Sequence, residues 1–530
     1  MSYDRAIKVF GIALLVACFA ASIHKVFNYH FRAEITGKRI LRFAHTHLEP
    51  GVREAFDVLA SDYMAEHPDV LIEQLTVPER IYKVWVETKL FGGNVPDIVR
   101  LHASVNNDHL LGYFLPLEEH IEVPNPYNTG STLEGVRWRD TFFDGLNNAP
   151  SYNGNLLNTF GIPNTIFTNR IYYNKRLFKE ITGSDEGPRD FQEFLKICDQ
   201  VVAYRARHRI SLYPIAGSRE NSQAILERLF GSQTQKLAPR LEPTNELQTL
   251  AQDSTASFMA GKWTMREPAI ISALKLMRRV GNFFTPGFLQ LKRDDALFQF
   301  TQEKAVMIAS GSYDAQSIRI QSPFEVGVFA IPMPLPDDPE YGQYVLGFQS
   351  EASIGGQAAF AIYKFSRNRD IAIDFLQYIT SMKGNAKFSK ISGWLPSVNG
   401  IEPDESIKPF MPYLAGYRRG INFYYMGGEP GDLVNANFHR LLGPDGSVDA
   451  FLEEVEPKMR DAIQTLLDRG ADQVLSDAAY FDSMIGALYR RDSVGDGEWS
   501  DRMSEIIESQ TYQEEVSFYR RHELALYGKD

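Results

Sequence analysis

Between Ile40 and Leu101 the chain alternates short apolar runs with segments of helical periodicity, and this alternation restricts the fold more than any other feature. Ile40 to Ala44 reads as a strand. Pro50 suits the first turn of a helix, and Val52, Phe56, Leu59 and Tyr63 recur on one face until His67-Pro68 stops it. Val70 to Leu75 reads as a second strand. Ile81, Val84, Trp85 and Thr88 mark a second helix that Gly92-Gly93 can end, and Val95 to Leu101 reads as a third strand. Strand, helix, strand, helix, strand predicts an α/β fold with a parallel sheet and crossover helices.

A chain of 530 residues, 44% of them hydrophobic, holds more than one such unit. Its net charge of −12 supplies no basic field for a phosphate backbone, so nucleic acid is not an expected partner. Cys18 and Cys198 are the only cysteines and there is no C-x-x-C, which leaves structural zinc, iron–sulfur clusters and a disulfide framework without ligands. Neither a G-x-S-x-G elbow nor a Gly-rich phosphate loop occurs. His45-Thr46-His47 forms an H-x-H at a strand end, but no H-E-x-x-H and no eightfold β/α repeat accompanies it, so no metal or other cofactor is expected. Glu49, Asp97, Glu220, Glu351 and Glu429 could furnish a two-carboxylate glycosidase. The Pro-Asp at Asp97, however, is explained by turn chemistry, and no catalytic residue is assigned.

At the N-terminus Arg5 and Lys8 precede an apolar run, Val9 to Ile23, that is shorter than the ~20 residues of a comfortable membrane span. This is the pattern of an export signal. Leu15-Val16-Ala17-Cys18 is similar to a lipoprotein cleavage site with Cys18 as the lipid anchor; an uncleaved anchor and a soluble exported form remain as alternatives. Residues 1–35 are expected to lie outside the folded domains of a periplasmic or extracytoplasmic, membrane-tethered protein.

His67-Pro68-Asp69-Val70 and Pro96-Asp97-Ile98 are followed by six segments in a shared order: Tyr172 to Phe178, the Pro188-to-Val202 helix, Phe300 to Tyr313, Val326 to Pro334, Ala372 to Thr380, and Gly393-Trp394-Leu395-Pro396. In that order the chain resembles the maltose-type (family 1) extracellular solute-binding proteins of ABC importers. The resemblance implies a periplasmic-binding-protein-like fold, two α/β lobes joined by a hinge with the ligand cleft between them. It places lobe one at 36–168 and 325–380, lobe two at 169–324 and 381–470, and leaves 471–530 as a helical C-terminal extension. Gly161-Ile-Pro163-Asn164, Gly347 and Gly355-Gly356 fall near the expected switch points.

The resemblance also implies cleft residues. The loop after the first strand contributes His47 and Glu49, and the loop after the third contributes His102, Ser104 and Asn106. Asn164 lies at the first hinge segment; Arg219 and Asn221 follow a lobe-two strand; Ser312 and Tyr313 stand where many members carry a tryptophan; Trp394 lies near the hinge. Tyr424 and Tyr425 cannot both face the cleft if extended, and Tyr425 is chosen. Aromatic faces and short polar side chains suit a polyhydroxylated ligand, and Arg219 would suit an anionic group such as a uronic acid. The bland reading of each is an ordinary loop or core position. The implied function is capture of a carbohydrate by lobe closure and delivery to an ABC permease by a monomer, the alternatives being presentation to a membrane sensor or a hydrolase.

Overall fold

The computed structural model describes residues 37–492 except 102–106, 148–150, 154–155, 157, 242–250, 353–355, 422–423 and 425, together with 504, 507, 510, 511 and 514. Twelve strands appear among them: β1 (Arg39–His45), β2 (Val70–Thr76), β3 (Ile98–Arg100), β4 (Tyr152–Asn153), β5 (Asn158–Thr159), β6 (Ile162–Ile166), β7 (Asn169–Asn174), β8 (Tyr213–Ala216), β9 (Ala305–Gly311), β10 (Val326–Ala330), β11 (Gly356–Ile362) and β12 (Leu395–Pro396).

The alternation at the start of the chain builds the first lobe. β1 pairs in parallel with β2 and with β3, setting Leu41 opposite Ile72 and Phe43 opposite Ile98, in a six-stranded sheet ordered β12-β6-β11-β3-β1-β2. Because side chains alternate along a strand, Leu41 and Phe43 face one side, where Val52, Phe56, Leu59 and Tyr63 of helix Pro50–Glu66 cover them. Ala44, Val99 and Leu101 face the other side, against Tyr82, Val86 and Leu90 of helix Glu79–Phe91. Asp97 serves structure: its carboxylate accepts from the Arg42 backbone N–H at 2.7 Å and from Ser366 Oγ at 2.5 Å.

The second lobe is organised on a four-stranded sheet ordered β10-β7-β9-β8. One face carries Ile171, Tyr173, Ile215, Met307 and Ala309 into a large core closed by helices Phe191–His208, Arg219–Gln233, Pro268–Gly281 and Gly428–Leu442. The other face packs Tyr172, Ala216 and Ile308 against Phe300, Ile318 and Phe410.

Strand pairing corrects the lobe boundaries expected from sequence. Residues 326–330, assigned to lobe one, form β10 and pair antiparallel with β7 in the lobe-two sheet. Residues 382–396, assigned to lobe two, belong to lobe one: β12 pairs with β6, and Phe388 of helix Met382–Ser392 meets Phe56 at 4.9 Å between ring centroids. An apolar run such as Val326 to Ala330 fits either sheet; its partner strand decides. The boundary at 470 also falls inside one continuous helix, Val448–Asp492. Its start, from Phe451 to Ile463, is buried in lobe two, whereas Ile485, roughly 33 Å further along, packs against the lobe-one cluster that holds Tyr82, Val86 and Leu90. Among the described residues no helix is long and apolar enough to cross a membrane; Cys18 lies outside them.

The chain passes between the lobes after β6, between β10 and β11, and after β12. A buried ion pair fastens these crossings together. Arg170, two residues beyond the first, donates to both oxygens of Glu351 at 2.9 and 3.0 Å, and both side chains are fully buried. Glu351 belongs to the second crossing. Arg170 also donates to the backbone carbonyls of Pro409 and Met411 on the third, and the Tyr413 N–H there donates to Glu351. Burial alone would push the Glu351 carboxyl up, but Arg228, Arg170 and the Tyr413 N–H outweigh it and hold its pKa at about 2. A carboxylate so fixed is a structural anion and not a proton carrier.

Candidate functional site

β8 and β9 run parallel, so their C-terminal ends, Ala216 and Gly311, open on the same side of the lobe-two sheet beside the first crossing. Ligands of α/β sheets collect at such strand ends. After β8, Ser218 caps helix Arg219–Gln233 by accepting from the Asn221 N–H at 3.0 Å. After β9, the Ser312 N–H donates to the Thr168 carbonyl at 2.8 Å and pins the strand end to the crossing.

These elements enclose a cavity of about 340 Å³. Its floor is the end of β9, Ala309 to Gly311, with Tyr313 beyond it; one wall is the helix face bearing Glu220, Gln223, Glu227 and Arg228. Phe167, Thr168 and Asn169 of the first crossing, Arg293, and Arg419 complete the lining. The half-buried Tyr313 ring lies over Gly311, 5.8 Å from the Phe167 ring and 5.4 Å from the Arg293 guanidinium. Arg293 in turn pairs with the buried Asp314, which Ser310 also engages at 2.5 Å. The rim is therefore held by ion pairs, while ring, amide and guanidinium groups face the space.

Of the residues expected from sequence, Tyr313 and Asn221 line this cavity. Asn221 is committed to structure, since its amide donates to the Ala309 carbonyl and accepts from Ser218 Oγ, locking the helix start to β9. Ser312 is buried behind Tyr313, where it clips the crossing. Arg219 is exposed on the outer side of its helix and does not reach the cavity. Asn164 is fully buried within β6, its carbonyl accepting from Asn385 at 2.8 Å, so it is a lobe-one sheet residue. Trp394 is likewise part of the lobe-one core, its ring edge-on to His47 at 4.9 Å. Glu49 sits at the start of helix Pro50–Glu66 with one carboxylate oxygen buried and unpartnered. Tyr424 packs on Phe438 in the lobe-two core. His102, Ser104, Asn106 and Tyr425 lie outside the described residues.

The H-x-H pair is internal. His45 accepts the His47 N–H through Nδ1 at 3.2 Å, which leaves Nε2–H to bond Gln74 at 2.9 Å. Burial depresses the His45 pKa to about 4, with Gln74 offsetting part and Arg53 and Arg100 adding to it. Burial, followed by Arg100 and His45, holds His47 well below the usual histidine range. Both rings are therefore neutral in the folded protein near pH 7. Unfolded histidines take up protons near pH 6.5, so stability is fully present above that value and falls as the pH drops towards 4. Urea unfolding should show no such loss between pH 7.5 and 6.5, and below 6.5 a loss approaching about 1.4 kcal/mol per pH unit for each of the two groups. His45→Gln should flatten that slope; an unchanged slope in the variant would place the proton uptake elsewhere.

Residues that sequence reasoning missed are Arg293, Arg419, Glu227, Gln223 and the first crossing itself. One signal was present: Glu220, Gln223 or Ala224, and Glu227 follow helical spacing opposite the apolar Ile225, Leu226, Leu229 and Phe230. Arg419 carried none, because it is nearly two hundred residues from the wall it joins.

Two α/β lobes, a hinge of clasped crossings and a cavity at the strand ends beside the first crossing are the architecture of a solute-binding protein. Residues 59–410 match the bacterial extracellular solute-binding protein family, and the chain belongs to that family. It is 23% identical over 375 residues, 67% of this chain and 74% of the relative, to a multiple sugar-binding protein of Streptococcus mutans. Its fold is similar to a chitin oligosaccharide binding protein (TM-score 0.55, 16% identity, 81% of this chain and 99% of that one). It is also similar to apo RafE from Streptococcus pneumoniae (0.55, 16%, 80% and 98%) and to a cyclic alpha-maltosyl-1,6-maltose binding protein from Arthrobacter globiformis (0.55, 17%, 81% and 100%).

Proposed function

We propose that the protein captures a carbohydrate in the cavity at the ends of β8 and β9 and presents it, on closure of the lobes, to an ABC permease. The observation that carries this reading is the lining itself: an aromatic ring beside a backbone that approaches closely at Gly311, with amide, carboxylate and guanidinium groups around it. A ring face takes the C–H face of a sugar, and paired donors and acceptors take adjacent hydroxyls. The names of the similar proteins, which concern sugars and oligosaccharides, agree with it.

Binding without turnover fits the geometry better than hydrolysis. The cavity carboxylates Glu220 and Glu227 stand two turns apart on one helix wall, about 10 Å along the axis. A glycosidase needs two carboxyl groups flanking the scissile bond. Closure works through differential contacts: ligand touching both lobes stabilises the closed form by the contacts it gains there, and the permease reads that form. Residues 1–35 would tether the monomer outside the cytoplasm.

A thermal-shift screen over mono- and oligosaccharides tests the reading. A sugar that binds only the native state should, at a hundred times its dissociation constant, add about 2.7 kcal/mol of stability and raise the melting temperature accordingly. Shifts with amino acids or polyamines and none with any carbohydrate would refute it.

A further inference from the structure

We propose that the cavity is built for an acidic carbohydrate, whose carboxylate pairs with the guanidinium of Arg419. The inference rests on the carbohydrate reading above and narrows it to a substrate class. Three arginines line the space and two are committed: Arg228 to Glu351, which Arg170 also engages from behind, and Arg293 to Asp314. Arg419 is different. Arg419 lines the cavity, its Nε is buried without a hydrogen-bond partner, and none of the described residues forms an ion pair with it.

The surroundings make that charge costly while the site is empty. Burial and the neighbouring Arg228 both disfavour the Arg419 cation, with Glu227 and Glu351 opposing them. Glu351 is shared between two arginines and cannot neutralise a third. Glu227 is the carboxylate nearest in effect, and burial pushes its own pKa up, with Arg419 and Arg228 opposing. The remaining cavity acid, Glu220, is exposed and accepts from Ser218 Oγ at 3.2 Å at the helix start. A partly desolvated guanidinium with no ion-pair partner among the described residues gains most from a planar, two-oxygen anion, because its fork of N–H donors matches that geometry. Neutral hydroxyls would satisfy only part of it. Glu220, Glu227 and Gln223 then serve as acceptors for the hydroxyls of the same sugar, with Tyr313 against its ring.

Titration calorimetry of the full chain decides the matter, using galacturonate and digalacturonate, glucuronate, their neutral hexose counterparts, and inorganic phosphate as the competing oxyanion. At low salt an acidic sugar should bind at least tenfold more tightly than its neutral counterpart, with the advantage shrinking as salt rises. Arg419→Gln should lower affinity for the acidic sugar at least tenfold more than for its neutral counterpart, which abolishes the advantage. Arg419→Lys should retain part of it, and both variants should melt no lower than the parent. Equal affinity for acidic and neutral sugars, or an equal loss for both in Arg419→Gln, would overturn the acidic-ligand proposal and leave carbohydrate capture standing. Binding of phosphate with no preference among sugars would reassign Arg419 to a free oxyanion. Failure of every sugar, acidic or neutral, would overturn both readings.

Discussion

Replacing Glu351 with alanine is expected to destabilise the protein by about 3–5 kcal/mol, the cost of leaving buried charges without their partner. Arg170 is fully buried and directs two of its donors at Glu351, and Arg228 directs another. Removing the carboxylate leaves Arg170 fully buried, and Arg228 at the cavity wall, without their shared counter-ion. Glu351→Gln, which keeps the shape and loses the charge, should also be strongly destabilising. Replacing Arg170 and Glu351 together with apolar residues should cost much less than the two single changes summed. Because the carboxyl is held at about pH 2, its contribution is present above pH 4.5 and is lost as the pH falls through 2. Denaturant midpoints of the Glu351 variants, the Arg170 single variant and the double variant check this, and near-additive losses would show that the pair is not a coupled clasp. The clasp also explains how three separate crossings act as one hinge: Arg170, Glu351 and the carbonyls of Pro409 and Met411 give each crossing a contact with the others.

Tyr313→Ala should weaken sugar binding by about 1–3 kcal/mol, roughly five- to two-hundred-fold, with less than about 3 kcal/mol lost from the stability of the ligand-free protein. The ring borders the cavity and is only half buried, which separates it from core aromatics such as Phe360. Gly311→Ala supplies an independent probe. A methyl group at Gly311 would overlap the Tyr313 ring, so the ring must swing away while its chemistry is kept. Affinity should therefore fall in Gly311→Ala as it does in Tyr313→Ala. Calorimetry and thermal melts of both variants measure the two quantities, and a Tyr313→Ala protein that loses stability but keeps its affinity would make the ring a packing residue.

Local periodicity made the first lobe legible. Leu41 and Phe43 on one face of a strand, and Val52, Phe56, Leu59 and Tyr63 on one face of the following helix, are patterns within about twenty residues, and the parallel pairing of β1 with β2 and β3 follows from them. Position in the family order brought Tyr313 and Asn221 to the cavity. It misjudged Trp394 and Asn164, because a polar or aromatic side chain at a strand end can turn towards the cleft or the core, and the sequence around it is the same in either case.

What the sequence by itself determined was the set of strands and helices and which faces of the early ones are apolar, since those depend on backbone geometry repeated over a few residues. Tertiary structure alone decided that β10 joins lobe two, that β12 joins lobe one, and that Arg419 faces Glu227 across one cavity while Glu351 sits between two arginines. The physical reason is chain separation. Arg170 and Glu351 are 181 residues apart, and a buried charge or an unpaired donor acquires its meaning from neighbours that only the completed fold brings within hydrogen-bond reach.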